Sequence, residues 1–212
     1  MPQIITRKNI NNIVQHLKAS KHYLEFKSIL QHKIDNENKA KLILKSNLGN
    51  IKYKHLKDIF GLIDENYMQV FGYGGIGSPW FGRLLHANKK LIFNETESDI
   101  NKWFDLLTDN KYSIPERINM SLKYPYHIKG AGVGLATLVF YLLDKSNYLI
   151  WFRVLHEGLK IVYPNLINFD KKGMSYDRFN DIGKIFAKTY NFEHTEMDWV
   201  LWKIGIAYRL AP

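Results

Sequence analysis

Ile128-Lys129-Gly130-Ala131-Gly132-Val133-Gly134 has the residue types and spacing to do chemistry, and that chemistry is anion binding. Gly130 and Gly132 permit backbone angles closed to other residues and let a second backbone come close. An apolar helix is predicted to start at about Val133 and run through Leu143. The first N–H groups of such a helix have no partner inside it, and the helix dipole adds partial positive charge at the same end. A phosphate fits there without any base-reading side chain. Lys129 stands beside the turn and can add a charge-assisted contact, with Tyr126 and His127 immediately before it.

Elements on either side must position this turn. Pro115 with Glu116 predicts the start of a helix that ends near Tyr124, because the residue before Pro125 is pushed out of the helical region. Upstream, Thr96 with Asp99, or Ser98 alone, predicts a cap for a helix burying Ile100, Trp103, Phe104 and Leu107. Downstream, Ser175 is read as the cap of a helix burying Phe179, Ile182 and Phe186. Thr195 with Asp198 is read as the cap of a last one burying Met197, Val200, Leu201 and Ile204. Near the N-terminus, Ile10, Ile13, Val14 and Leu17 lie on one helical face, and a second stretch carries Tyr23, Leu24, Phe26, Ile29 and Leu30. Asp35-Asn36-Glu37-Asn38 is expected to break that stretch, with a third short helix over Ala40 to Leu48 and a stop at Gly49. No run alternates with period two for more than a few residues, so the expected class is mainly α. Residues 1–50 are expected to form a basic helical subdomain and 51–212 the helical core, unless the two are continuous.

The positions around the glycine turn resemble the helix-hairpin-helix motif of DNA-repair and replication proteins. The shared pattern is an apolar residue, Ile128, then Gly130-Ala131-Gly132, then alanine four residues later at Ala136. The resemblance implies that Ala136 lets two helices pack closely and that Lys129 through Gly134 meet a DNA phosphate. A wider likeness runs from about Pro79 to Trp202. It is carried by Pro79-Trp80-Phe81-Gly82-Arg83-Leu84-Leu85, the Gly-x-Gly helix, Tyr148-Leu149-Ile150-Trp151-Phe152-Arg153-Val154, Glu157-Gly158-Leu159-Lys160 and Met197-Asp198-Trp199-Val200-Leu201-Trp202. Together these resemble the N-terminal portion of some McrB-type modification-dependent restriction proteins. That resemblance implies a DNA-targeting domain that selects modified sites such as methylated ones, acting with a GTPase motor and a nuclease. The motor is not in this chain, since no Gly-x-x-x-x-Gly-Lys-Ser/Thr occurs.

Contacts beyond the turn are expected from aromatic and arginine side chains. Trp80, Tyr124, Tyr126 and Trp151 lie in or beside loops, where a ring can stack on an extruded or unpaired base, against the ordinary alternative of a core position. Trp80 and Tyr126, beside prolines and basic residues, are the ones expected to be exposed, and Trp151, in an apolar run, is expected in the core. Arg83 and Arg153 are the arginines expected near phosphate, against the ordinary alternative of surface pairing. The formal net charge of +10 points the same way. Residues 1–60 hold 12 Lys and Arg against 4 Asp and Glu, whereas residues 61–212 hold 18 against 16. The basic excess is therefore concentrated in the first quarter, as a phosphate-facing part requires. Decoration of exposed helices by a lysine-rich composition accounts for the same excess.

Other chemistry fares worse. The chain has no cysteine, which removes disulfides, thiolate metal sites and cysteine nucleophiles and suits a reducing compartment. Its eight histidines form neither a His-x-x-x-His pair nor a His-Glu-x-x-His helix, so no metal or other cofactor is expected. Gly72 to Pro79 is glycine-rich but lacks the phosphate-loop order. Glu25-Phe26-Lys27 and Glu37-Asn38-Lys39 have nuclease-like spacing but sit on helix rather than strand. DNA glycosylases with a helix-hairpin-helix place a catalytic aspartate about one helix after the turn. The stretch from Tyr148 to Arg153 has none, and the lysine position of their hairpin is Gly134. The expectation is thus a DNA-binding chain without catalytic activity of its own, a glycosylase-like enzyme or a protein-interaction domain being the alternatives. Neither an N-terminal signal peptide nor a membrane span is read in the sequence, and a cytoplasmic location is expected.

Overall fold

Helical periodicity organises the residues that the structure, a computed structural model, describes: 7–63, 91–163 and 172–209. In chain order they hold α1 (Arg7–Ala19), α2 (Lys21–Ser46), α3 (Tyr53–Ile63), α4 (Glu97–Thr108), α5 (Ile114–Ser121), α6 (Val133–Leu143), α7 (Arg153–Val162), α8 (Lys172–Tyr190), a 3-10 turn (His194–Glu196) and α9 (Met197–Arg209). No strand occurs among the described residues, and the fold is mainly α. None of the described helices is long and apolar enough to cross a membrane. The glycine-rich stretch from Gly72 to Pro79, with Trp80 and Arg83, lies outside the described residues.

Side-chain caps fix several helix starts. Ser20, Thr96 and Ser113 each accept a hydrogen bond from the backbone N–H three residues on, and the Glu116 carboxylate accepts one from the Ser113 N–H, completing a capping box. Two expected caps are corrected. Ser175 is buried inside α8, which already begins at Lys172. The reciprocal box before α9 is made by Glu193 and Glu196, not by Thr195 and Asp198.

α2 departs furthest from the sequence reading. It runs unbroken through Asp35-Asn36-Glu37-Asn38, and the expected third helix is its last part. The polar run is tolerated because it faces two environments. Asp35 is exposed and accepts from Gln31 one turn back (2.8 Å), while Asn36 and Glu37 turn into the protein. The helix then stops at Ser46, with Gly49 in the left-handed region (φ 79°). One hydrophobic cluster takes residues from α1 and α2, such as Val14, Phe26 and Leu44, together with Tyr141, Leu159 and Ile204. Phe26 stacks flat on the fully buried Trp199 of α9, their ring centres 4.7 Å apart.

A buried ionic cluster sits beside this stack. The Lys33 ammonium of α2 donates to Glu37 (2.7 Å) and to the Thr195 carbonyl (2.8 Å), and pairs with Asp198 of α9 (3.0 Å). The Tyr141 hydroxyl of α6 donates to the other Glu37 oxygen (2.9 Å), which Lys145 also meets at 3.0 Å. Lys27 and Tyr23, nearer the start of α2, both donate to Glu196. Burial presses the Lys33 pKa down, but Asp198 and Glu37 outweigh it and hold it above its ordinary value. Asp198 faces the opposite balance. Burial, with help from Glu37, overcomes the attraction of Lys33 and pushes its carboxyl up to about 7.

That shift sets a pH dependence. An unfolded aspartate releases its proton near pH ~3.9, so between about pH 4 and the folded value of about 7 the folded chain holds a proton the unfolded chain has lost. Stability from this group therefore falls as the pH rises through that window and is level above it. Asp198→Asn removes the dependence. In urea titrations, the stability of the variant relative to the parent should climb from pH 4 to pH 7 and then hold steady. A difference that does not change across the window would remove Asp198 as its source.

Candidate nucleic-acid interface

The connection from α5 to α6 covers residues 122–132, longer than the single tight turn expected, because α5 ends at Ser121 rather than near Tyr124. It consists of two turns. In the first, the Lys123 carbonyl accepts from the N–H groups of both Tyr126 (2.9 Å) and His127 (2.8 Å). In the second, the Ala131 N–H returns to the Ile128 carbonyl (3.2 Å), and Gly130 sits at φ 84°, a left-handed angle that favours glycine. Ile128 and Ala131 are buried and anchor this second turn. Glu95 steadies it from outside, its carboxylate accepting from the Lys129 N–H (3.2 Å).

Gly132 then caps α6 with no side-chain hydrogen bond of its own. Its carbonyl already serves the N–H groups of Leu135 and Ala136, both at 3.1 Å. A Cβ at Gly132 would meet nothing within 4 Å, so the start of the helix is open on that side. Val133 and Gly134 are half-buried, and Ala136 is fully buried. Gly134 lacks a side chain for a packing reason: a methyl there would run into the Phe152 ring.

Phe152 brings the second half of the site. It caps α7, again without a side-chain hydrogen bond. The extended segment before it is pinned from two sides. Asn180 of α8 accepts from the Leu149 N–H (2.7 Å) and donates to the Asn147 carbonyl, while Tyr176 donates to the Leu149 carbonyl (2.9 Å). On the other side the Trp151 N–H donates to Thr137 of α6 (3.0 Å). The uncapped starts of α6 and α7 are thereby held together through Phe152 and Gly134.

The sequence-predicted residues fall into this arrangement unevenly. His127, Lys129 and Gly132 are exposed, Tyr126 is half-buried, and Arg153 opens α7 with its side chain in solvent but paired to Glu157 (3.0 Å). Trp151 is half-buried and stacked beside His156, whose pKa is pushed down to about 4 by burial and then by Lys160. The imidazole is therefore neutral at pH 7 and adds no charge. Missed in the sequence reading is the exposure of Tyr124, at 95%. Also missed is the freedom of this segment from acidic residues: no Asp or Glu occurs from residue 117 to residue 143.

Chemically, the arrangement offers free amide donors, helix-end dipoles and exposed cations to an anion. Asp144, at the end of α6, is tied into its own turn by Ser146 (2.6 Å) and Asn147 (2.7 Å), which hold its carboxyl below the ordinary range. Among the described residues no group of three or more His, Asp or Glu stands together to hold a metal ion. No family model, curated protein or solved structure matches this chain.

Proposed function

We propose that this protein binds DNA through its phosphate backbone and serves as a targeting domain of a modification-dependent restriction system. The observation that carries the reading is the meeting of two uncapped helix starts, α6 at Gly132 and α7 at Phe152, beside exposed Lys129, His127 and Arg153. Unpaired amides at one helix end form an anion site, and a second start packed against the first adds further donors for the same backbone. The net charge of +10 supplies the long-range attraction. Selection of methylated sites, and partnership with a GTPase motor and a nuclease, follow from the McrB-type resemblance and belong to the same proposal.

Fluorescence polarisation with unmodified, cytosine-methylated and adenine-methylated duplexes at two salt concentrations tests it. Affinity should fall steeply with salt, and one modified duplex should bind more tightly than its unmodified form. Gly132→Val is the informative variant, since the added side chain enters open space in a conformation that valine tolerates. Hydrogen bonds to a charged group are worth roughly 1.5–3 kcal/mol, so covering these amides should weaken binding about tenfold or more. Lys45→Ala, an exposed lysine of α2, should change it by a few-fold at most. A folded Gly132→Val protein with parental affinity would remove the helix starts from the reading.

A further inference from the structure

Tyr124 is the most exposed of the described tyrosines, and the way it is held makes that exposure informative. The ring sits at the tip of the first turn after α5. That turn is closed by hydrogen bonds from the Lys123 N–H to the Met120 carbonyl (3.0 Å) and from Tyr126 and His127 to the Lys123 carbonyl. Pro125, next in the chain, has its φ fixed by its own ring. A large aromatic surface is thus presented to solvent on a rigid base, which lowers the entropy lost when something covers it. The exposed residues close to it in the chain are Lys123, His127 and Lys129, with Gly132 after the second turn. An apolar partner surface would find one ring in a stretch with two lysines, too little area to hold it. A nucleotide satisfies both features at once, with a flat face for the ring and a phosphate for the cations and amides.

We infer that the preferred ligand of this site is nucleic acid carrying unpaired bases, and that Tyr124 is the residue on which such a base stacks. The inference rests on the backbone-binding reading above and adds to it the state of the strand. In a continuous duplex the base faces are covered by their neighbours, so a protruding ring gains nothing from it. At a gap, bulge or single-stranded stretch a face is open, and stacking on an aromatic side chain strengthens binding whatever the base.

The test uses the full chain with a 20-base-pair duplex and the same duplex carrying a central two-nucleotide single-stranded gap with 2-aminopurine in it. The parent should bind the gapped duplex more tightly and quench the 2-aminopurine. Tyr124→Ala should weaken binding to the gapped duplex by about tenfold, abolish the quenching and leave the paired duplex unaffected, while Tyr124→Phe should behave as the parent. At 95% exposure the substitution removes no core contact, so the variant stays folded. Equal affinity of the parent for both duplexes, or equal loss on both in Tyr124→Ala, overturns the stacking role while leaving the backbone grip standing. No binding to either duplex by the parent overturns both.

Discussion

Replacing Lys33 by methionine should lower the free energy of unfolding by about 3–5 kcal/mol, the range for breaking a buried ion pair by removing one partner. Lys33 is 1% exposed, and its ammonium serves Asp198, Glu37 and the Thr195 carbonyl. Methionine has a similar length but leaves those acceptors in place. Glu37 keeps Lys145 and the Tyr141 hydroxyl, so its loss is partial. Asp198 keeps only the N–H of Trp199 (2.7 Å) and takes up a proton instead of staying ionised. The cost therefore comes mainly from Asp198, and this can be separated experimentally. Adding Asp198→Leu to Lys33→Met should recover at least about 1 kcal/mol, because an apolar pair of similar volume leaves no buried carboxyl without its partner. Chemical denaturation of the parent, the single variant and the double variant decides it. A single-variant loss below about 1 kcal/mol, or a double variant no better than the single, would show that the cluster does not join α2 to α9.

This cluster also shows where sequence reading runs out. The apolar stripes were legible: Ile100, Trp103, Phe104 and Leu107 are all buried, as are Phe179, Ile182 and Phe186 in α8. Such stripes repeat within one helix, so a single segment displays them. Asp35-Asn36-Glu37-Asn38 reads as a break because Asn36 and Glu37 are polar. What makes Glu37 a core residue is Tyr141, Lys145 and Lys33, two of which lie a hundred residues away in the chain. Asp198 was misassigned for the same reason: the first turn of a helix suits a capping carboxylate, and only Lys33 accounts for its inward position. At the candidate interface, the start of α6 at Val133 and the left-handed turn at Gly130 followed from local rules. That the start of α7 lies against it did not, because it depends on Asn180 and Tyr176 pinning the segment from Asn147 to Leu149. Gly134 was read as part of a phosphate turn, and its lack of a side chain instead accommodates Phe152.

Gly158→Ala should destabilise the protein by about 2 kcal/mol or more, against the usual effect of alanine in a helix. Alanine is favoured over glycine in a helix interior by about 1 kcal/mol, and Gly61→Ala, at an exposed position of α3 with nothing within 4 Å, should gain up to that amount. Gly158 differs because α7 and α9 approach there backbone to backbone. A methyl on it would collide with the Leu201 carbonyl oxygen and lie 2.8 Å from the carbonyl carbon. From the other side, a methyl on Gly205 would stand 2.6 Å from the Val154 carbonyl oxygen. Carbonyls inside helices cannot rotate away, so the helices must separate, and overpacking of this kind costs about 1–3 kcal/mol or more. Equilibrium urea unfolding of the two alanine variants should give opposite signs. The separation has a functional consequence as well, because α7 carries Phe152 and Arg153 at its start. A Gly158→Ala protein that still folds should therefore bind duplex DNA more weakly than the parent, while Gly61→Ala binds as the parent does. If Gly158→Ala proved as stable as the parent, the close crossing of α7 and α9 would be refuted, and with it the rigid placement of the second helix start.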